Sequence, residues 1–131
     1  MNNTFKVDII SPEKIIFSDE VKNVVLPAQE GDMGLLKDHI SLITFLRPGI
    51  IKLQNNQDHN EEYFIEDGIV EFFNNKLIIL STYAKKIEDL KKDFIDNLVK
   101  QTQKKLNSDT ISDQEKYILN HKLEVINSLN I

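Results

Sequence analysis

The sequence predicts an α+β protein, in which an N-terminal antiparallel β-sandwich is followed by a C-terminal antiparallel two-helix hairpin. Two observations carry this prediction. Apolar residues alternate with polar ones over residues 1–84, and their spacing changes to three and four residues over 85–131. Closely spaced turn signals in the first part are typical of short antiparallel strands and not of βαβ units. We therefore expect two domains, 1–84 and 85–131.

Nine short strands are predicted in the first domain. In the first strand, Phe5, Val7 and Ile9 alternate with Lys6 and Asp8, which is the pattern of a half-buried strand. The other eight are expected at Lys14–Phe17, Val21–Leu26, Gly31–Leu36, Leu42–Leu46, Ile50–Leu53, Glu61–Glu66, Ile69–Phe73 and Lys76–Ser81.

Turn residues separate these strands. The segment Ser18–Glu20 is expected to turn between the second and third strands, and Pro27 is expected to end the third. Pro48-Gly49 has proline and glycine in the order that a type II turn favours. Asn74-Asn75 predicts a tight hairpin turn, because asparagine tolerates positive φ better than other non-glycine residues.

After Ala84 the apolar residues follow one stripe of a helix. The positions of this stripe are Ile87, Leu90, Phe94, Leu98, Val99 and Leu106. Ser112–Glu115 is a capping box that begins a second helix, which we expect to reach about Leu129. Since two helices of about 20 residues are marginal alone in water, the hairpin should dock on the sandwich or on another protein. A hairpin with a choice of docking surfaces could act as a switch.

The composition limits the classes of function. The chain has 131 residues, a formal net charge of -5 and no cysteine, which excludes disulfides, thiolate catalysis and cysteine metal sites. Residues 1–84 carry 7 basic and 13 acidic side chains, and Arg47 is the one arginine among 16 basic residues. Nucleic-acid binding is therefore not expected. Neither a leader segment nor a membrane-spanning apolar run is present, and a cytoplasmic compartment is the expectation.

The stretch Gln29–His39, continuing to Arg47-Pro48-Gly49, is where we expect functional contacts. Two glycines three residues apart indicate a shaped backbone, and the charged residues before His39 are too dense for a core. The sequence contains no hydrolase motif, no phosphate-binding loop and no paired histidines at metal-ligand spacing, so we expect neither catalysis nor a cofactor. Asp58–Glu62 could be interpreted as a metal site, but a solvated hairpin loop explains it with fewer assumptions.

The order of four segments along the chain is more specific than any one of them alone. They are Phe5–Glu13, Glu30–Gly34 with His39, Leu46–Gly49 and Phe64–Glu71, and a last strand and a helical hairpin follow them. In this order they resemble the epsilon subunit of bacterial and plastid F-type ATP synthases, whose mitochondrial counterpart is called delta. The resemblance covers essentially the whole chain.

The resemblance implies a non-catalytic rotor subunit of a proton-translocating ATP synthase, which couples ion flow through the c-ring to ATP synthesis. Its sandwich would hold the gamma subunit of the central stalk at the cytoplasmic face of the inner (plasma) membrane, without inserting into that membrane. The residues carried over as contacts with the polar loops of the c-ring are Glu30, Asp32 and His39. Those carried over as shaping the loops are Gly31, Gly34, Pro48, Gly49 and Gly68.

In this family the helical hairpin can extend along the stalk to the catalytic alpha/beta head and restrain ATP hydrolysis. The lysines expected to meet acidic loops of that head are Lys100, Lys104, Lys105, Lys116 and Lys122. Some relatives bind ATP through Ile/Leu-Asp-x-x-Arg-Ala, and the corresponding segment here is Ile87-Glu88-Asp89-Leu90-Lys91-Lys92. Because the arginine fork is missing, the resemblance implies weak or no ATP binding.

Simpler interpretations stand beside these. His39 could satisfy the backbone of a turn, Glu30 and Asp32 could be solvated carboxylates, and lysines near a helix end could compensate the helix dipole. The alternative function is an independent β-sandwich protein-binding module with a helical appendage, unrelated to ATP synthase. Obligate binding to a central-stalk subunit would distinguish the two.

Overall fold

A computed structural model describes residues 3–129, and its architecture confirms the predicted fold class. Residues up to Lys86 form one compact unit, and residues from Ile87 form a second. This division lies two residues after the predicted boundary at Ala84, because the chain adds a short strand over Ala84–Lys86 before it leaves the first unit.

The first unit contains ten strands. They are β1 (Phe5–Ile10), β2 (Ile15–Val21), β3 (Asn23–Ala28), β4 (Gly31–Leu36), β5 (Leu42–Leu46), β6 (Gly49–Gln54), β7 (Asn60–Ile65), β8 (Gly68–Phe73), β9 (Lys76–Leu80) and β10 (Ala84–Lys86). The order β10-β7-β6-β3-β4 forms one layer, and β5-β8-β9-β1-β2 forms the other. The pair Ala28 and Leu46 joins the layers, and β1 and β9 are the parallel neighbours in an otherwise antiparallel arrangement.

The core lies between the two layers and is built by the alternation along each strand. In β1, Phe5, Val7 and Ile9 are buried, whereas Lys6 and Asp8 are partly exposed. The ring of Phe5 meets the ring of Phe72 edge-on, with 5.5 Å between their centroids. Each such buried side chain stabilises the fold by about 1.5–3 kcal/mol.

The second strand is longer than predicted, and the predicted turn at Ser18–Glu20 is wrong. These residues continue β2, which pairs with β1 along its whole length. Their polar side chains are bonded to neighbours: Ser18 Oγ donates to Asp8 Oδ1 at 2.6 Å, and Thr4 Oγ1 donates to Glu20 Oε2 at 2.6 Å. The polar run that resembled a turn is therefore an exposed part of an edge strand.

The two predicted turn geometries have different outcomes. Asn74 and Asn75 have φ values of 50° and 58°, which confirms the tight turn between β8 and β9. The type II turn at Pro48-Gly49 is wrong, because Gly49 does not have the positive φ which that geometry requires. Glycine is needed there for space instead, since a Cβ atom on Gly49 would lie 2.5 Å from the Cβ of Pro27.

Pro27 does not end the third strand as predicted. It lies inside β3, and its carbonyl oxygen accepts a hydrogen bond from the backbone N–H of Arg47 at 3.0 Å. The strand continues for one more residue, and Ala28 there pairs with both Gly31 and Leu46.

The second unit contains a short 3-10 turn over Ile87–Asp89 and two helices, α1 (Lys92–Leu106) and α2 (Asp113–Ser128). Helix α1 begins later than its apolar stripe predicted, because Ile87 and Leu90 precede it. The serine cap of α2 is confirmed, because Ser112 Oγ accepts from the Glu115 backbone N–H at 3.1 Å. The Glu115 carboxylate lies 3.3 Å from Ser112 Oγ and so meets the hydroxyl of the cap, whereas a full capping box would place it on the Ser112 backbone N–H. Neither helix, within residues 3–129, combines the length and hydropathy needed to span a bilayer.

Candidate functional site

An exposed apolar surface covers the outer side of β5, β8 and β9. Its members, which we call the apolar face, are Ile43, Phe45, Ile69, Phe73 and Leu80, and they are 44–71% exposed. Phe45 lies opposite Ile69 across one strand pair, and Ile69 lies opposite Leu80 across the next. Contiguous exposed apolar surfaces of this kind mark sites where another protein binds.

The sequences of these strands explain why the face exists. They read LITFL, GIVEFF and KLIIL, so apolar residues occupy both faces of each strand. One set points into the core, with Val70 and Phe72 as examples, and the other set forms the apolar face. Sequence reasoning missed this surface, although near-continuous apolar strands are typical of a sheet that is covered on both sides.

Two grooves lie along the apolar face. The first has a volume of about 690 Å³, and its apolar lining includes Ile10, Phe45, Ile69 and Leu80. The second has a volume of about 580 Å³ and extends over Ile43, Phe73 and neighbouring residues. Volumes of this size accept several side chains of a partner.

Polar groups at the rim of the first groove are bonded within the chain. The Asp67 carboxylate accepts from the Thr82 backbone N–H at 2.9 Å and from Thr82 Oγ1 at 2.7 Å. Ser81 Oγ lies 3.3 Å from the same carboxylate and 2.8 Å from the carbonyl oxygen of Tyr83. Asp67 therefore holds the β9–β10 connection in place and leaves the apolar lining as the open part of the groove.

The residues predicted to contact the c-ring are not brought together. Glu30 lies in the turn before β4 and His39 lies in the loop after it, so the length of β4 separates them. A six-residue strand spans about 20 Å at ~3.3 Å per residue. Asp32 is exposed on β4 near the Glu30 end.

The Glu30 end also holds most of the residues predicted to shape the loops. Gly31 has φ 142°, which strongly favours glycine directly after the turn. Gly68 begins β8, where an added Cβ would meet Leu46 Cδ1 at 3.1 Å, and Pro48 and Gly49 lie at the start of β6. Gly34 is different, because it lies within β4 and an added Cβ would meet nothing within 4 Å.

At the opposite end of the sandwich, two loops are fastened to each other. The Asp38 backbone N–H donates to Asn75 Oδ1 at 2.7 Å, and Asn75 Nδ2 donates to Asp38 Oδ1 at 2.9 Å. His39 Nδ1 lies 2.8 Å from the carbonyl oxygen of Ile40, and its ring meets the edge of Phe72 at 6.0 Å. We call this group the Asn75 clamp. The simpler interpretation of His39, as a residue that satisfies a turn, matches this geometry.

Side-chain contacts also hold the connection between β9 and β10 and the strand β10 that follows it. The rings of Tyr83 and Phe64 meet edge-on at 6.4 Å. Burial, together with the charge of Glu66, raises the pKa of the Tyr83 phenol above its usual value. Lys86 Nζ lies 3.1 Å from Glu61 Oε1 and links β10 to β7.

The lysines predicted to contact the catalytic head lie on both helices. Those on α1 are Lys100, Lys104 and Lys105, and all three are exposed. On α2, Lys116 is exposed and Lys122 is half-buried.

The segment that corresponds to the ATP motif does not lie in one helical turn. Ile87 and Glu88 belong to the 3-10 turn, Lys91 is the N-cap of α1 and Lys92 is its first residue. Lys91 and Lys92 are exposed.

Comparison with protein families gives a match over residues 4–87. The matching model is described as "ATP synthase, Delta/Epsilon chain, beta-sandwich domain". An ATP synthase epsilon chain of Pelagibacter ubique is 46% identical over 131 residues, which cover 99% of this chain and 100% of that protein. The epsilon chain of Dichelobacter nodosus is 31% identical over 123 residues, covering 88% and 86%.

Two solved structures share the fold. A chain of the Euglena gracilis mitochondrial ATP synthase, described as OSCP/F1/c-ring, aligns with a TM-score of 0.76 at 17% identity, covering 99% of this chain and 81% of that one. A chain of the Tetrahymena thermophila mitochondrial ATP synthase, described as central stalk/c-ring, aligns with a TM-score of 0.69 at 13% identity, covering 96% of each.

Proposed function

The chain belongs to the delta/epsilon family of ATP synthase subunits, and on this basis we propose that it is a non-catalytic subunit of the rotor. In this role it couples ion flow through the c-ring to ATP synthesis, and its helical hairpin restrains ATP hydrolysis. The names of its relatives and the central-stalk complexes that share its fold support the assignment. It acts as a peripheral part of the complex, at the cytoplasmic face of the membrane.

The observation that carries the proposal is the apolar face. Five large apolar side chains are open to solvent on one sheet, and they lie on strands whose opposite sides build the core. Covering them would remove a large apolar area from water, at about 25 cal/mol per Å². We assign this surface to the gamma subunit of the central stalk, since a rotor subunit needs a contact that does not slip during rotation.

The contact with the c-ring is assigned to the Glu30 end. Glu30 and Asp32 are exposed there, and a carboxylate in an exposed turn can meet polar or basic loops without burying an unpaired charge. His39 was expected in the same contact, but it lies at the other end of β4 and takes part in the Asn75 clamp. We therefore restrict the proposed contact to Glu30 and Asp32, with Gly31 shaping the turn.

The second unit is assigned the regulatory role. Lys100 and Lys104 are four residues apart on α1, so they project from the same side of the helix, and Lys105 lies next to them. Lys116 and Lys122 lie six residues apart on α2. These lysines would meet acidic loops of the catalytic alpha/beta head when the hairpin extends.

ATP is not proposed as a ligand of the hairpin. Lys91 stands where the motif has an arginine and lacks its planar fork, and Lys92 stands where the motif has alanine. Ile87 and Glu88 lie outside the helix. We expect ATP at millimolar concentration to leave the thermal unfolding temperature of the chain unchanged.

The experiment is a binding and inhibition assay with the complete chain. It is mixed with the gamma subunit of its own organism, and with the alpha/beta/gamma assembly, while co-elution and ATP hydrolysis are measured. The proposal predicts a stable complex and slower hydrolysis. A variant with Lys100, Lys104 and Lys105 changed to Gln should keep binding and lose inhibition. Failure of the unmodified chain to bind gamma would contradict the proposed role in the rotor.

A further inference from the structure

One charged residue interrupts the apolar face. Glu71 is exposed on β8 between Ile69 and Phe73 along the strand. It lies opposite Ile43 on β5 and opposite Ile78 on β9. Apolar residues therefore surround the carboxylate at all four neighbouring positions of the sheet.

The carboxylate has no partner among residues 3–129. No hydrogen bond or ion pair is formed by Glu71 within this part of the chain, and the nearest lysine on the neighbouring strand, Lys76, is opposite Phe73 at the rim. Glu71 also lines the second groove, together with Ile43 and Phe73. A partner that fills this groove must come into contact with the charge.

Covering Glu71 with a purely apolar surface would be unfavourable. A carboxylate removed from water without a counter-charge loses its hydration and gains nothing in return. A lysine or arginine on the partner would compensate, because its aliphatic stem can lie along apolar side chains while its charged head reaches the carboxylate. The ring of Phe73 beside Glu71 is an additional favourable surface for such a cation.

We propose that the gamma-subunit segment covering the apolar face carries a lysine or arginine that pairs with Glu71, and that this pair selects the partner and its register. The inference rests on the proposed function, because it names the chemistry of the same interface. Apolar contacts alone would allow the segment to slide along β8, whereas a single charge pair specifies one position.

The test compares Glu71→Gln with Glu62→Gln in the complete chain. Glu62 is exposed on β7, opposite Lys52 in the other layer, and is the matched control. Binding to the gamma subunit is measured by calorimetry at several salt concentrations. Glu71→Gln should weaken binding about tenfold or more and flatten its salt dependence, because the cation of the partner is left unpaired. Glu62→Gln should change neither.

Two results would overturn the inference while leaving the proposed function intact. Either Glu71→Gln binds as the unmodified chain does, or Glu71→Leu binds more tightly, and each would show that no cation meets the carboxylate. If the unmodified chain does not bind the gamma subunit, the proposed function is contradicted and this inference with it. Equal thermal unfolding temperatures of the three variants and the unmodified chain establish that folding is not the cause.

Discussion

The apolar face and the Asn75 clamp belong to one β-sandwich but use their exposed residues in opposite ways. Large side chains such as Ile43 and Phe45 stand open to solvent on the face. In the clamp, Asp38 is exposed and Asn75 is partly exposed, but they bond to each other through two hydrogen bonds. Exposure alone therefore does not indicate a contact site. A polar group already paired within the chain stabilises the fold, whereas an open apolar surface is available to a partner.

A charge introduced into the apolar face should have the largest effect on binding. Ile69→Asp should weaken binding to the gamma subunit by about 100-fold or more, because a carboxylate would be buried at the centre of the interface. Its free energy of unfolding should fall by only about 1 kcal/mol, since aspartate is unfavourable in a strand but Ile69 is already 44% exposed. Calorimetric titration and urea unfolding measure the two quantities.

The matched control for this variant is Leu36→Asp. Leu36 is 63% exposed on β4, in the other layer of the sandwich. This substitution should leave gamma binding unchanged. If both variants lost affinity equally, the apolar face would have no special role.

The clamp predicts the reverse pattern, with an effect on stability and none on binding. Asn75→Ala removes two side-chain hydrogen bonds and places alanine at φ 58°, so it should lower the free energy of unfolding by about 2 kcal/mol. Asn75→Gly also loses the two hydrogen bonds, but glycine adopts a positive φ without strain. Its free energy of unfolding should therefore fall by about half as much. Urea unfolding of both variants separates the contribution of the hydrogen bonds from the strain of alanine at positive φ. Unaltered stability of Asn75→Ala would contradict a stabilising role of the Asn75 clamp.

A third prediction compares the two ends of β4. Glu30→Lys should weaken association with the isolated c-ring by about tenfold, as expected for an exposed charge that steers and orients a contact. His39→Ala should leave this association unchanged, because His39 lies at the clamp. Co-sedimentation of the complete chain with detergent-solubilised c-ring measures both. Weakening by His39→Ala alone would mean that the c-ring contacts the other end of the sandwich.

The smallest predicted effect concerns Tyr83 at alkaline pH. Burial and the charge of Glu66 raise the pKa of its phenol, so the neutral form is favoured in the folded state. The resulting stability is present below the ordinary pKa of 10.0 and is lost as the pH rises through the folded-state pKa. Stability of the unmodified chain should therefore fall more steeply above about pH 10 than that of Tyr83→Phe. If urea unfolding showed the same loss of stability in both proteins, ionisation of Tyr83 would not be its cause.

Much of the fold was predictable because it depends on local patterns. Period-two alternation located most strands, Asn74-Asn75 indicated its turn, and Ser112 with Glu115 indicated the start of α2. The errors arose where tertiary contacts decide the structure. Ser18–Glu20 is extended because β1 pairs with it, and Gly49 is required by the proximity of Pro27.

The candidate site was harder to predict, because neighbours in sequence are not neighbours in space. The motif from Glu30 to His39 reads as one polar loop, yet β4 separates its two ends. Conversely, Phe45, Ile69 and Leu80 are distant in sequence and become adjacent only through strand pairing. A period-two pattern says which side of a strand is buried, but it does not say that the opposite side is also apolar across three strands.

If the apolar face is the surface that holds the gamma subunit, its side chains must lose contact with solvent when the complex forms. Hydroxyl-radical footprinting of the complete chain, alone and bound to gamma, measures the solvent accessibility of individual side chains. Phe45, Ile69 and Phe73 should be strongly protected in the complex, with Leu36 oxidised equally in both samples. Protection of Leu36 with undiminished oxidation of Phe45 and Ile69 would show that gamma binds a different surface.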